Sequence, residues 1–129
     1  MNNAIRIIVI ILGIASLVFG IILVVQTGSG KQQLADELKP LALADVEARY
    51  DQVTANQEKM MAAEEPNIQA GKAAPSAMYT YLTVQRTSLG LARTNIGLTG
   101  FIQMAGYVNI LIGLGLALVG VAAPGKSKA

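Results

Sequence analysis

Residues 7–25 read IIVIILGIASLVFGIILVV, a run of 19 apolar or small residues without a charge. As an α-helix this run would be roughly 28 Å long, which is close to the thickness of the hydrocarbon core of a bilayer. A second run, FIQMAGYVNILIGLGLALVGVAA, occupies residues 101–123. The two runs predict an all-α membrane protein, with a first transmembrane helix within residues 1–26 and a second within residues 97–123.

The composition agrees with this interpretation and excludes several kinds of chemistry. The 129 residues are 53% apolar and 14% charged, whereas a soluble domain carries about 25% charged residues. Because the chain has no histidine and no cysteine, it offers no imidazole or thiolate for catalysis or metal binding. The formal net charge of +2 is too small to indicate a nucleic-acid partner. We therefore predict no catalytic residues, no cofactor, no metal site and no enzyme activity.

The first apolar run could belong to a cleaved signal peptide or to a permanent anchor. A signal peptide has an apolar stretch of about 7–15 residues followed by a small-residue cleavage site. The run over residues 7–25 is longer, and it ends in Val-Val-Gln-Thr without an Ala-x-Ala pattern. We therefore expect an uncleaved anchor in the lipid bilayer.

The basic residues outside the central segment predict the topology. Two spans place both termini on one side of a cell membrane, and Arg6, Lys126 and Lys128 indicate that this side is cytoplasmic. Residues 124–129 would then form a basic cytoplasmic tail. Residues 27–96, which contain all eight acidic residues, would form an extracytoplasmic segment.

The extracytoplasmic segment is predicted to be a helical hairpin. The glycines of residues 27–30 and the proline at 40 suggest breaks, so that helices would occupy residues 31–39, 41–64 and 76–96. Glu-Pro-Asn at 65–67 is expected to end the middle helix. The last helix would continue into the second span, although residues 78–84 also favour a short strand.

Two apolar stripes of coiled-coil type predict an interface in the hairpin. One stripe is interrupted by Gln57 before it reaches Met60, and the other has a seven-residue spacing. The stripes would face each other in an antiparallel pair, or face a neighbouring copy. Their residues are Leu43, Val46, Tyr50, Val53, Leu82, Leu89 and Ile96. Tyr79 and Tyr81 are expected either to contact another protein or to pack between helices.

The spans contain a second candidate interface, which is lined by glycine. Gly13 and Gly20 are seven residues apart in the first span, and Gly106, Gly113 and Gly120 repeat at the same spacing in the second. In an antiparallel pair the numbers of facing residues have a constant sum. A sum of 126 matches Gly13 with Gly113 and Gly20 with Gly106, so that the helices could approach closely. The glycines could instead face a neighbouring subunit, or their register could be coincidental.

Polar side chains in the sequence favour packing over chemistry. The amides of Gln103 and Asn109 are expected to form hydrogen bonds between helices, Asn109 in particular because it lies near the middle of its span. The acidic cluster of Glu58, Glu64 and Glu65 lacks the spacing of a calcium loop. Residues 28–31, GSGK, lack the glycine spacing of a phosphate loop.

These features predict a membrane-anchored structural or accessory subunit. It would assemble with itself, as a homo-oligomer, or with a larger membrane complex. A holin-type pore-former is an alternative, although a central segment this long is unusual for a small lytic hairpin. The ectodomain of a two-span sensor is another, although the chain offers few cytoplasmic residues for an output module.

Overall fold

A computed structural model describes residues 2–124, which form long helices and no strand. Helix α1 spans Asn3–Glu37, α2 spans Val46–Gln69 and α3 spans Ala77–Ala122, with a single 3₁₀ turn at Leu43–Asp45. The alternative of a strand over residues 78–84 is therefore wrong, because those residues belong to α3. Residues 125–129 of the expected tail, with Lys126 and Lys128, lie outside the described residues.

Helices α1 and α3 are each long and apolar enough to cross a membrane. This confirms the prediction of an all-helical chain with two apolar helices that could be membrane spans. The chain divides into two compact units. The apolar unit takes its described residues from Met1–Gln32 and Leu98–Ala129, and the polar unit is Gln33–Gly97.

The expected break at residues 27–30 does not occur, because α1 continues through them to Glu37. Thr27 is buried, and its hydroxyl donates to the carbonyls of Leu23 and Val24 one turn earlier. Lys31, on the next turn, donates to Gln103 of α3. The hydrogen bond from Lys31 to α3, beyond both glycines, offsets part of the cost of about 1 kcal/mol that each glycine imposes on a helix.

The connection from α1 to α2 is longer than the sequence suggests. A separate helix over residues 31–39 is absent, since α1 ends at Glu37 and a turn with Pro40 follows. Helix α2 begins at Val46 rather than at residue 41. The backbone N–H of Leu41 donates to the carbonyl of Leu38, and that of Asp45 donates to Ala42. Proline has no N–H and interrupts a helix, so neighbouring backbone groups need other hydrogen-bond partners. These two turns supply such partners.

The end of α2 also differs from the prediction, because the helix passes through Pro66 and ends at Gln69. The stop is made by Gly71, which has a positive φ of 66°. Its N–H donates to Ile68, and the N–H of Lys72 donates to Asn67, which is the Schellman pattern. Pro66 removes one backbone hydrogen bond from the last turns of α2 without ending the helix there.

Helix α3 begins with a cap that α2 completes. The hydroxyl of Ser76 accepts a hydrogen bond from the N–H of Tyr79, as an N-cap residue does. Glu64 of α2 accepts from the Ser76 N–H and from its hydroxyl, at 2.9 and 2.6 Å. In a capping box the carboxylate comes from the same helix. Here it comes from the neighbouring helix, so the start of α3 is fixed against the last turns of α2.

Candidate functional site

Five glycines of the apolar unit lie at close contacts between α1 and α3, namely Gly13, Gly20, Gly106, Gly113 and Gly120. A Cβ atom on Gly13 would lie 2.8 Å from the carbonyl oxygen of Gly113, and one on Gly20 would lie 2.6 Å from that of Gly106. Distances below 3.0 Å are essentially never found for real Cβ atoms. The structure therefore brings Gly13 beside Gly113 and Gly20 beside Gly106 within one chain, with backbone against backbone.

The contact between α1 and α3 at Gly13, Gly20, Gly106 and Gly113, called here the glycine seam, continues at Gly120. Arg6 is a polar neighbour of Gly120 that the sequence did not predict. Nε of Arg6 donates to the carbonyl of Gly120 at 2.7 Å, and Nη2 donates to that of Val121 at 3.0 Å. Both carbonyls belong to the last turn of α3, where acceptors lack partners within the helix and the helix dipole is negative. Arg6 thus caps the C-terminus of α3 from α1.

Asn109 lies in the same seam and bonds to Ser16, which the sequence analysis did not single out. The Ser16 hydroxyl lies 3.0 Å from the backbone oxygen of Asn109 and 3.3 Å from its Oδ1. The Asn109 amide nitrogen donates to the carbonyl of Ala105 at 3.0 Å. All these polar groups are therefore partnered inside the helix pair.

Gln103, the other amide of the second apolar run, joins a polar group beyond the seam. Its Oε1 accepts from the ammonium group of Lys31, and its Nε2 donates to the hydroxyl of Tyr107 at 3.2 Å. The cation therefore lies among polar partners, close to where the apolar run of α1 gives way to polar residues.

The two predicted stripes form the core of the polar unit. Val46 and Val53 of α2 are 1% and 2% exposed, and they pack with Leu82 and Leu89 of α3. Of the remaining predicted residues, Tyr50 and Ile96 pack against this core, and Leu43 lines a groove beside Ile96. Ala92, which the prediction left out, is also buried in the core, and the partly buried Leu38, Leu41 and Met60 pack against it.

Gln57 is part of this core although the sequence indicated an interruption. Its side chain is 6% exposed. Its Nε2 donates to the hydroxyl of Thr83 at 3.0 Å, and its Oε1 accepts from Arg86 at 2.8 Å. Since both partners are on α3, this buried amide selects one alignment of the two helices.

Arg86 and Arg93 of α3 hold Tyr50 of α2 between them. A hydrogen bond with Arg86 lowers the pKa of the Tyr50 hydroxyl from its ordinary value. The Arg93 guanidinium lies 5.2 Å from the centre of the tyrosine ring, and its Nε forms an ion pair with Glu47 at 2.7 Å. Gly90 beneath the ring leaves a shallow groove of 510 Å³ next to Leu91. Both arginines thus form their contacts with side chains of α2.

The acidic residues that could suggest a cation site have other partners. Glu64 accepts hydrogen bonds from the side chain and the backbone of Ser76, which lower the pKa of its carboxyl. Glu65 accepts one from Gln69. Within residues 2–124, no three acidic or other ligating side chains are arranged to hold a metal ion.

Comparison with known proteins assigns this chain to no family. No protein-family model matches it, and no curated protein and no solved structure matches it either. The contacts within each unit and the surfaces that remain exposed are therefore the observations that bear on function.

Proposed function

We propose that the chain is a membrane-anchored structural or accessory subunit. The apolar unit crosses a cell membrane with both termini in the cytoplasm, and the polar unit forms an extracytoplasmic helical hairpin. The main support for this proposal is the exposed surface of the apolar unit. Large side chains that are more than half exposed cover it, among them Ile7, Ile11, Phe19, Phe101, Leu111 and Leu118. In water such a surface would cause aggregation, whereas lipid tails solvate it.

The polar groups of the apolar unit support the same proposal. Hydrocarbon offers no hydrogen bonds, so polar side chains within it need internal partners. Ser16 and Asn109 bond to each other, and the buried hydroxyl of Thr27 bonds to its own helix. Arg6, the one charged residue among residues 2–30, bonds to carbonyls at the end of α3.

The use of the interior surfaces supports the role of a subunit. The glycine seam and the core of the polar unit are both used within one chain, so they close the hairpin. The surfaces left for other molecules are the lipid-facing side chains and the outside of the polar unit. We propose that these two surfaces make the contacts with further copies or with a larger membrane complex.

Cysteine labelling in the cysteine-free chain tests the anchoring and the topology. We expect the chain to resist carbonate extraction from bacterial membranes. A membrane-impermeant maleimide should label Asp51→Cys in intact spheroplasts, and Asn3→Cys only after lysis. Extraction by carbonate, or labelling of both positions in intact spheroplasts, would contradict the proposal.

Native mass analysis in mild detergent tests the role as a subunit. A discrete particle heavier than the 13.5 kDa chain is expected. A chain that remains single, and that releases a trapped dye when reconstituted into vesicles, would instead favour a holin-type pore.

A further inference from the structure

We propose that Lys31 and Tyr107 bind the phosphate of an anionic phospholipid at the extracytoplasmic edge of the membrane. The two residues belong to α1 and α3, and Gln103 of α3 joins them through hydrogen bonds. The inference rests on the proposed membrane anchoring and goes further by naming a class of ligand and the side chains that recognise it.

The Lys31 ammonium group has no acidic partner among the described residues. Its hydrogen-bond acceptor is the neutral amide oxygen of Gln103, and the ion pairs of the described residues involve Lys39 and Arg93 instead. No Asp or Glu occurs in the sequence of the apolar unit, so this unit supplies no counter-charge of its own. Because a half-buried charge is costly without a partner of opposite sign, Lys31 favours an anionic ligand.

The same polar group keeps hydrogen-bond donors that the described residues do not use. An ammonium group has three N–H donors, and Lys31 uses one of them on Gln103. The Tyr107 hydroxyl accepts from Gln103 at 3.2 Å, which leaves its own O–H to donate. Phosphate oxygens accept strong hydrogen bonds from such donors. Since Gln103 already holds the ammonium group in place, binding orders little further side chain.

The position of Lys31 along α1 matches the depth of a headgroup layer. Arg6 and Lys31 are the charged side chains among the described residues of the apolar unit, and both belong to the continuous helix α1. Their separation in the sequence corresponds to about 37 Å along the helix axis. The hydrocarbon core of a bilayer is about 30 Å thick, and the headgroup layers extend it to about 40–45 Å. With Arg6 in one headgroup layer, Lys31 therefore lies in the other.

The exposure of Tyr107 favours a phospholipid over a free phosphate ion. Its side chain is 47% exposed, on the surface that faces lipid in the proposed arrangement. Tyrosine is enriched at membrane boundaries because its ring is apolar and its hydroxyl is polar. A phospholipid offers an acyl chain to the ring and a phosphate to the hydroxyl, whereas a free phosphate ion offers nothing to the ring.

Native mass analysis of the chain in detergent, titrated with dioleoyl phosphatidylglycerol, tests the proposal. We expect Lys31→Gln to weaken lipid binding about tenfold, because it removes hydrogen bonds from a charged donor. Lys59→Gln, which removes the same charge from an exposed position of α2, is the matched control and should bind like the parent chain. Equal affinities for Lys31→Gln and the parent chain, or equal losses in the two variants, would overturn the proposal.

A second variant separates lipid binding from helix packing, because Lys31→Gln also changes the contact between α1 and α3. Tyr107→Phe leaves the hydrogen bond from Lys31 to Gln103 in place and removes the hydroxyl. We expect it to weaken lipid binding about threefold, without a change in thermal unfolding followed by circular dichroism. An unchanged affinity for the lipid would overturn the proposed site.

Two further measurements separate the lipid from free phosphate and the site from the anchoring. Excess inorganic phosphate, added at constant ionic strength, should leave the phosphatidylglycerol bound, and its release would overturn the phospholipid as the ligand. If the parent chain resists carbonate extraction but binds no phosphatidylglycerol, the anchoring stands and only the lipid site is wrong. Extraction by carbonate would overturn both proposals.

Discussion

The apolar and polar units each pair two antiparallel helical segments, but they fill the space between the helices differently. In the apolar unit glycines let the backbones touch, as at Gly13 and Gly113. In the polar unit Val53 and Leu89 fill the interface and a buried amide aligns it. The difference is the one expected if the apolar unit lies in lipid, as proposed, and the polar unit lies in water. Burying a large side chain gains about 25 cal/mol per Å² in water, whereas lipid offers no such gain and favours close van der Waals contact.

The largest expected effect tests whether the glycines set the helix separation. Leucine at position 113 would place its Cβ 2.5 Å from the backbone nitrogen of Leu17, so we expect Gly113→Leu to destabilise the chain by more than about 3 kcal/mol. The control is Gly115→Leu, since an added Cβ there meets no atom within 4 Å. Unfolding in detergent, followed by circular dichroism, measures both. Equal losses would show that the glycines do not set the separation.

The matching test in the polar unit removes a large side chain. We expect Leu89→Ala to lower the free energy of unfolding by about 3 kcal/mol, because it leaves a cavity in the core. Leu91→Ala, two residues away and exposed, should lose about 0.5 kcal/mol or less. Both are measured in dilute detergent that keeps copies apart. Similar losses for the two variants would mean that Leu89 does not lie in a core.

Removing the buried side-chain amide of Gln57 is expected to have an effect of intermediate size on stability. Gln57→Ala leaves Arg86 without its partner on the amide oxygen, and we expect a loss of about 2 kcal/mol in the free energy of unfolding. Gln52→Ala, at an exposed position of the same helix, should be close to neutral. A double-mutant cycle with Arg86→Ala should show coupling, and additive losses would contradict the proposed alignment role.

A smaller effect of opposite sign is expected at the glycines of α1. Gly28 and Gly30 are helical and have open space where a Cβ would lie. Each change to alanine should stabilise the chain by about 0.5–1 kcal/mol. Gly71→Ala is the contrasting variant, since its positive φ should make alanine destabilising by about 1 kcal/mol. A loss of stability at Gly28 would indicate that α1 needs flexibility there.

The smallest expected effect concerns the hydrogen bonds between Glu64 of α2 and Ser76 at the start of α3. Hydrogen bonds from Ser76 lower the pKa of Glu64 in the folded state. Their contribution to stability is thus present above the unfolded-state pKa and disappears as the pH falls through the folded-state pKa. In an NMR titration of the Glu64 carboxyl, Ser76→Ala should raise the pKa part of the way back, since the backbone N–H still donates. An unchanged pKa would contradict this assignment.

The sequence predicted what depends on local composition. Long runs without charge indicated the two apolar helices, and the structure contains them. Local reasoning was wrong at Gly28 and Gly30, because the hydrogen bond of Lys31 to Gln103 on the other helix is not visible in the local sequence. It was wrong at Pro66 because the stop is the glycine cap at Gly71.

The contacts between distant segments could not be predicted in the same way. Gln57 interrupts an apolar pattern, and nothing near it in the chain indicates that Thr83 and Arg86 satisfy its amide. The partners of Arg6 are even more remote, since they are backbone carbonyls that no residue type reveals. The spacing of the glycines, in contrast, was visible in the sequence because seven residues return a helix to nearly the same face.

The bonds from Arg6 to Gly120 and Val121 bear on how the chain is made. The two acceptors are synthesised more than a hundred residues after Arg6. In the proposed membrane arrangement, the Arg6 guanidinium would stay hydrated at the membrane surface during that interval. The contact can therefore form only after the end of α3 has been synthesised.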